Sequence, residues 1–285
     1  MRLKQCISGG EGHSRNPFTL PMALSRGILS PYLFNFYMND MSVQLNSVNA
    51  GCWIGGHKIN HLSYADDQIV MAPSMAGLQM LLDVCSNYSK LSDITFNPNK
   101  SVTMVIKCEK LKSLNTEKCY LNGKALNEVS QVKYLGHIIT NDTTDDADIM
   151  RNVSYLYSVG NTLIRKFSFC SKKVKIKLFQ SYCMNAYTGH LWINYKQATY
   201  NKMKTAYNSI LRRLLLIKRF DEGKNYSASQ MFASHNVLCL GALLRKAMYS
   251  FQRRITESSH PFMHDLSKNV ISSLWEFRTN KLRPP

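Results

Sequence analysis

Hydrophobic positions recur in two different rhythms along this chain, first mixed and then purely helical. Ser30-Pro31 opens a helix, since serine caps helix starts and proline suits the first helical position. Phe34, Tyr37, Met38, Met41 and Leu45 then form its buried face, and it ends before Asn49 and Gly51. Cys52–Ile54 and Ile59–Tyr64 read as strands around a Gly55-Gly56-His57-Lys58 turn, and Ile69–Met71 as another. Pro73-Ser74 caps a second helix with an apolar face of Leu78, Leu81, Leu82, Cys85 and Tyr88. After the Asn97-Pro98-Asn99 turn, strands are predicted at Ser101–Ile106, on both sides of the hairpin signal Asn122-Gly123, and at Lys133–Thr140. Beyond Asn141 only helical spacing is visible, beginning with Ile149, Val153, Leu156, Leu163 and Phe167. The pattern predicts an α+β part over residues 1–140, a basic helical part over 141–220 and a C-terminal helical extension over 221–285.

Between two apolar strand segments stand Tyr64-Ala65-Asp66-Asp67. The acids fall at the predicted hairpin tip. Like charges packed there repel unless a cation neutralises them. Hard Mg²⁺, shared with substrate phosphates, fits that need, with Mn²⁺ as the alternative. A solvated Asp-Asp turn fits the same four residues. A second acidic cluster, Asp142, Asp145, Asp146 and Asp148, sits where a helix N-terminus is predicted and complements its dipole.

The net charge of +18 is unevenly spread. From Ile149 to Phe220 there is no Asp or Glu, while fourteen Lys and Arg occur there, among them Arg165, Lys166, Lys172, Lys173, Lys175, Arg212 and Arg213. One-signed charge over such a length implies a polyanionic partner, and nucleic acid fits best. Lys172-Lys173-Val174-Lys175 suits either a nuclear signal or a solvated helix face. The eight cysteines include no C-x-x-C pair, as expected of reduced thiols, and Cys85, Cys119 and Cys183 suit buried positions. Cys52, His57 and His61 lack zinc-finger spacing. No apolar run reaches the roughly 18 residues of a membrane span, and residues 1–10 resemble no leader, so a soluble intracellular chain is expected without a membrane partner.

Four segments in order resemble consecutive reverse transcriptase motifs, in their non-LTR (LINE-type) retrotransposon form. They are Gly27-Ile28-Leu29-Ser30-Pro31-Tyr32-Leu33-Phe34, Tyr64-Ala65-Asp66-Asp67, Asn97-Pro98-Asn99-Lys100-Ser101 and Tyr134-Leu135-Gly136-His137-Ile138. The resemblance implies a partial palm, an antiparallel sheet with packed helices, followed by an all-helical thumb. It implies RNA-directed DNA synthesis by two-metal nucleotidyl transfer on an RNA template and DNA primer or target, with dNTPs as substrates. Asp66 and Asp67 would hold metal, and Tyr64 and Ala65 would lie near the primer end. Gly27, Ser30 and Pro31 would line the template and nucleotide site. Lys100 would protonate the leaving pyrophosphate, although a solvated turn lysine fits it nearly as well. Tyr134, Leu135 and Gly136 would grip the primer, and they also suit strand core and a turn. Nuclear residence follows from the family alone.

Two departures shape the expectation. Ser25-Arg26 stand where the family has Gln-Gly. The first palm motif, with its own metal-binding Asp, finds no match upstream, where the one acid before Asp40 is Glu11. The polar, Gly-rich start over residues 1–20 reads as cut. The chain is therefore expected to be an N-terminally truncated reverse transcriptase domain, inactive by itself, with a missing N-terminal portion as a partner. The alternative is a non-catalytic nucleic-acid-binding module or relic. An unrelated Mg²⁺ phosphotransferase would leave the motif order and the acid-free stretch unexplained.

Overall fold

A computed structural model describes residues 30–268 except 93, 95, 107–116, 185–187, 219 and 222–223. The chain divides into two compact units, Met1–Tyr134 and Leu135–Pro285. Short strand pairs and packed helices make it α+β, as the hydrophobic pattern predicts.

The described part of the first unit begins with α1 (Ser30–Ser47), so the helix includes the expected cap residue Ser30. Met38, Met41 and Leu45 point into the core, as their spacing requires. Strands β1 (Cys52–Ile54) and β2 (His57–Ile59) form an antiparallel hairpin over Gly55-Gly56. The expected strand Ile59–Tyr64 is interrupted at Asn60. This buried residue turns its amide to Leu45 O at 2.6 Å, while its own carbonyl accepts from Met71 N at 2.8 Å. Lys58 Nζ donates to Asn46 O and Val48 O, both at 2.8 Å, satisfying carbonyls where α1 ends. Strands β3 (His61–Tyr64) and β4 (Asp67–Val70) make the second hairpin.

Helix α2 (Met75–Leu91) starts where Ser74 caps it, its Oγ accepting from Gly77 N at 3.1 Å. Leu81, Leu82, Cys85 and Tyr88 are buried against α1 residues, Val70, Phe96 and Leu121. The predicted strand Ser101–Ile106 shrinks to β5 (Val102–Thr103), which pairs in parallel with the unforeseen β8 (Asn127–Glu128). Between them β6 (Tyr120–Leu121) and β7 (Lys124–Ala125) form the Asn122-Gly123 hairpin, with φ of 51° and 74° at its tip. Strand β9 (Gln131–Tyr134) closes the unit.

The second unit opens with β10 (His137–Thr140). One strand over Lys133–Thr140 was the expectation. Leu135 and Gly136 instead adopt φ of 44° and 82° and turn the chain between β9 and β10. Helices α3 (Asp146–Lys166), α4 (Lys172–Tyr182), α5 (Gln197–Leu215), α6 (Ala228–Ser234), α7 (Leu240–Thr256) and α8 (Pro261–Leu266) follow. A short pair, β11 (Phe220–Asp221) with β12 (Lys224–Asn225), corrects the expectation of helices alone. Helices α3 and α5 approach closely at Gly160, where an added Cβ would stand 2.5 Å from Ile210 Cδ1. Trp192, Tyr207, Phe179 and Ile149 are fully buried in this unit's core.

Asp145 and Asp148 do more at the start of α3 than complement its dipole. Asp145 Oδ2 accepts from Ile193 N at 2.6 Å and Asn194 N at 2.8 Å. Asp148, with no exposed side chain, accepts from Thr188 Oγ1 at 2.6 Å, Trp192 Nε1 at 2.8 Å, Arg151 Nη2 at 2.8 Å and Ile138 N at 3.1 Å. Burial pushes its carboxyl up, but the His137 imidazole 3.3 Å away and hydrogen bonds from Thr188, Trp192 and Arg151 outweigh burial and hold it below the usual carboxylate range. Together the two acids fasten the loop before α5 to the start of α3.

Candidate active site

The β3–β4 hairpin places the acidic pair. Its register runs from His61 opposite Val70 to Tyr64 opposite Asp67, leaving Ala65 and Asp66 as a two-residue tip. Ala65 takes φ of 49°, a left-handed conformation that costs a non-glycine residue about 1–2 kcal/mol. Two-residue hairpin turns favour positive φ because their twist then matches the strands. At its base the hairpin is anchored by buried Val70 and by the Met71–Asn60 backbone bond. Ser63 Oγ donates to Gln68 Oε1 at 2.7 Å across the strands. Gln68 is buried, and its Nε2 finds no partner among the described residues. The apolar residues leading to the tip face outward: Leu62 and Tyr64 are exposed. Burial holds the neighbouring His61 below its ordinary pKa, and its Nδ1 lies 2.8 Å from Asn60 Oδ1.

Asp66 is exposed and makes no hydrogen bond or ion pair among the described residues; Asp67, opening β4, is half-buried. Consecutive strand and tip positions therefore present two carboxylates at one end of the hairpin. Their oxygens are hard donors of the kind that suit Mg²⁺ or Mn²⁺. Among the described residues no group of three or more His, Cys, Asp or Glu is placed to hold a metal.

The other residues singled out in the sequence are spread over separate elements. Gly27 lies outside the described residues, and Ser30 and Pro31 are the first two residues of α1. Lys100 is exposed in the turn closed by its own N–H to Asn97 O at 3.1 Å. Tyr134 ends β9, and Leu135-Gly136 form the turn after it.

In the second unit, Arg165 and Lys166 are exposed on the last turn of α3, and Lys172 and Lys173 on the first turn of α4. Arg213 is exposed and donates to Asn161 Oδ1 at 3.1 Å. Two residues depart from the surface role expected of them. Lys175 is buried, with Nζ 2.7 Å from Ser168 O, so its ammonium secures a loop. Arg212 donates through Nη2 to Tyr226 O at 2.7 Å, and its Nη1 is buried. A lysine that folds back on its own preceding loop carries no distinguishing mark among neighbouring lysines. Arg212 and Arg213 line an open groove with Lys218 and Tyr226. No described helix is long and apolar enough to cross a membrane.

Residues 24–139, which include the hairpin, match the family model "Reverse transcriptase (RNA-dependent DNA polymerase)". The Retrovirus-related Pol polyprotein from type-2 retrotransposable element R2DM of Drosophila melanogaster is 30% identical over 134 residues. That similarity covers 45% of this chain and 13% of the relative, so the chain spans only a small part of the relative's length.

Proposed function

We propose that this chain, whose residues 24–139 are a reverse transcriptase domain of the non-LTR retrotransposon type, serves RNA-directed DNA synthesis by two-metal nucleotidyl transfer. The observation that carries this is the exposed Asp66 carboxylate, without a partner among the described residues, at a hairpin tip inside the matched segment. In this reading the first unit is a partial palm, and residues 141–220 form a thumb followed by the 221–285 extension. Asp66 and Asp67 hold divalent cations, Mg²⁺ ahead of Mn²⁺. Such a cation, when bound, supplies positive charge against the phosphate and acidifies the attacking 3′ hydroxyl. Tyr64 and Ala65 border the primer end. Gly27, Ser30 and Pro31 position template and dNTP, Lys100 gives a proton to the leaving pyrophosphate, and Tyr134, Leu135 and Gly136 hold the primer. The surface cations of the second unit face the RNA template and DNA primer or target. Nuclear residence belongs to the same reading.

The donor chemistry of the pair fits, but two adjacent carboxylates cannot complete the shells of two ions. No further carboxylate joins the pair among the described residues, and in this reading it comes from a separate polypeptide portion. Assayed as the 285-residue polypeptide alone, the protein is therefore expected to give little or no primer extension on an RNA template with Mg²⁺ or Mn²⁺. Supplying a polypeptide with the further carboxylate should restore extension, and Asp66→Asn should abolish it again while leaving nucleic-acid binding within about twofold. Robust Asp66-dependent extension by the 285 residues alone would overturn the incomplete-site reading. Binding without extension under every condition would leave the non-catalytic nucleic-acid-binding module, a reading the exposed cations Arg165, Lys166, Lys172 and Lys173 favour.

A further inference from the structure

We infer that the corner between α3 and α4 is a base-stacking contact for single-stranded nucleic acid, with Phe169 as the platform and Arg165, Lys166, Lys172 and Lys173 as phosphate contacts. Phe169 is 85% exposed. An aromatic ring left in water needs a reason, and loose packing is not the reason here. The loop bearing it is tied on both sides. Phe167 packs against the core, and Cys170 N donates to Phe167 O at 3.2 Å. The buried Lys175 ammonium donates to Ser168 O, one residue before the ring. Ser171 then caps α4, its Oγ accepting from Val174 N at 3.5 Å. The backbone is held, and the ring is held outward.

Charge decides the partner. The four cations lie within four residues of Phe169 in sequence, on the helix ends that enter and leave its loop. None of the four has an ion pair or hydrogen bond among the described residues. Lys172 and Lys173 even place positive charge at the positive end of a helix, which folding alone disfavours. An exposed ring among unpaired cations matches a strand whose phosphates meet the charges and whose bases stack on the ring. Bases in a duplex are already stacked, so the platform favours single strands. A lone exposed ring offers too little apolar area for a membrane anchor. The inference rests on the nucleic-acid reading above but can fail separately from it.

The test uses the full chain and fluorescein-labelled strands of equal length, with normal or abasic residues, in an anisotropy titration at several salt concentrations. Wild type should prefer the normal strand. Phe169→Ala should lower affinity for it by about 5- to 100-fold and leave affinity for the abasic strand unchanged. Phe169→Trp should restore the preference, with its emission quenched on binding. Because the ring is exposed, an unchanged melt is expected for both variants. Equal binding of normal and abasic strands by wild type and Phe169→Ala would overturn the stacking contact, even where a steep salt dependence upholds the nucleic-acid reading. No salt dependence, and no loss when all four cations become Ala, would overturn both. Phe169-dependent binding to phosphatidylserine vesicles without a strand preference would assign the corner to a membrane and overturn the inference.

Discussion

Asp66 stands exposed at a two-residue hairpin tip with no donor on it among the described residues, whereas Asp148 is sealed beneath Thr188 and Trp192 with its oxygens occupied. Both belong to short acidic clusters in the sequence. What separates them is where donors come from. Residues 188–196 return to the start of α3 and satisfy Asp145, Asp146 and Asp148 with N–H and O–H groups. Nothing described returns to Asp66. An acid that the fold satisfies stabilises the fold, and an acid that the fold leaves open is available to a ligand.

Replacing each acid should give the largest contrast. Asp148→Ala strands the buried Trp192 and Thr188 donors and unpairs Arg151, so a loss of about 3–5 kcal/mol is expected. Asp66→Ala should change stability by no more than about 0.5 kcal/mol. Urea melts followed through Trp192, with Trp53 and Trp275 changed to Phe, would report the first. Comparable losses at both positions would break the distinction.

Acid should sharpen it. The folded-state pKa of Asp148 lies below its unfolded value of about 4. Its contribution is therefore fully present above that value and is lost as pH falls through the folded-state pKa. The stability difference between wild type and Asp148→Asn should stay flat from neutral pH to about pH 5, then shrink below about pH 4. A difference that widened toward acid would mean that ionisation of the Asp148 carboxylate does not govern the cluster.

The same contrast explains what could be read from the sequence. Local chemistry was legible. Ser74 caps α2, Asn122-Gly123 makes a hairpin, and Leu81, Leu82, Cys85 and Tyr88 are buried where helical spacing puts them. Asp66 at the β3–β4 tip was legible for the same reason, since strand alternation and a turn are short-range features, while Asp67 falls one position on as the first residue of β4. Features set by distant partners were not. The Thr188, Trp192, Ile193 and Asn194 donors to Asp145 and Asp148 arrive from some forty to fifty residues away. Lys175 looks like Lys172 until its ammonium is seen on Ser168 O. Leu135 gave no warning of a turn, because leucine rarely takes positive φ, although Gly136 beside it suited one.

The smallest expected effect bears most directly on the tip. Ala65 at φ 49° and Gly123 at φ 74° occupy turns of the same length, yet only one has the residue its backbone prefers. Ala65→Gly removes the left-handed penalty but loosens the unfolded chain, so a net gain below about 1 kcal/mol is expected. Gly123→Ala should go the other way by about 1 kcal/mol, since open space around its Cβ leaves backbone strain, partly offset by a stiffer unfolded chain, to decide the sign. If the alanine serves to stiffen the tip that carries Asp66, Ala65→Gly should also speed amide exchange at Asp66 and Asp67 while raising the melting temperature. A stabilised hairpin with unchanged exchange would show that Ala65 constrains nothing, and Asp66 would then owe its position to the strand register alone.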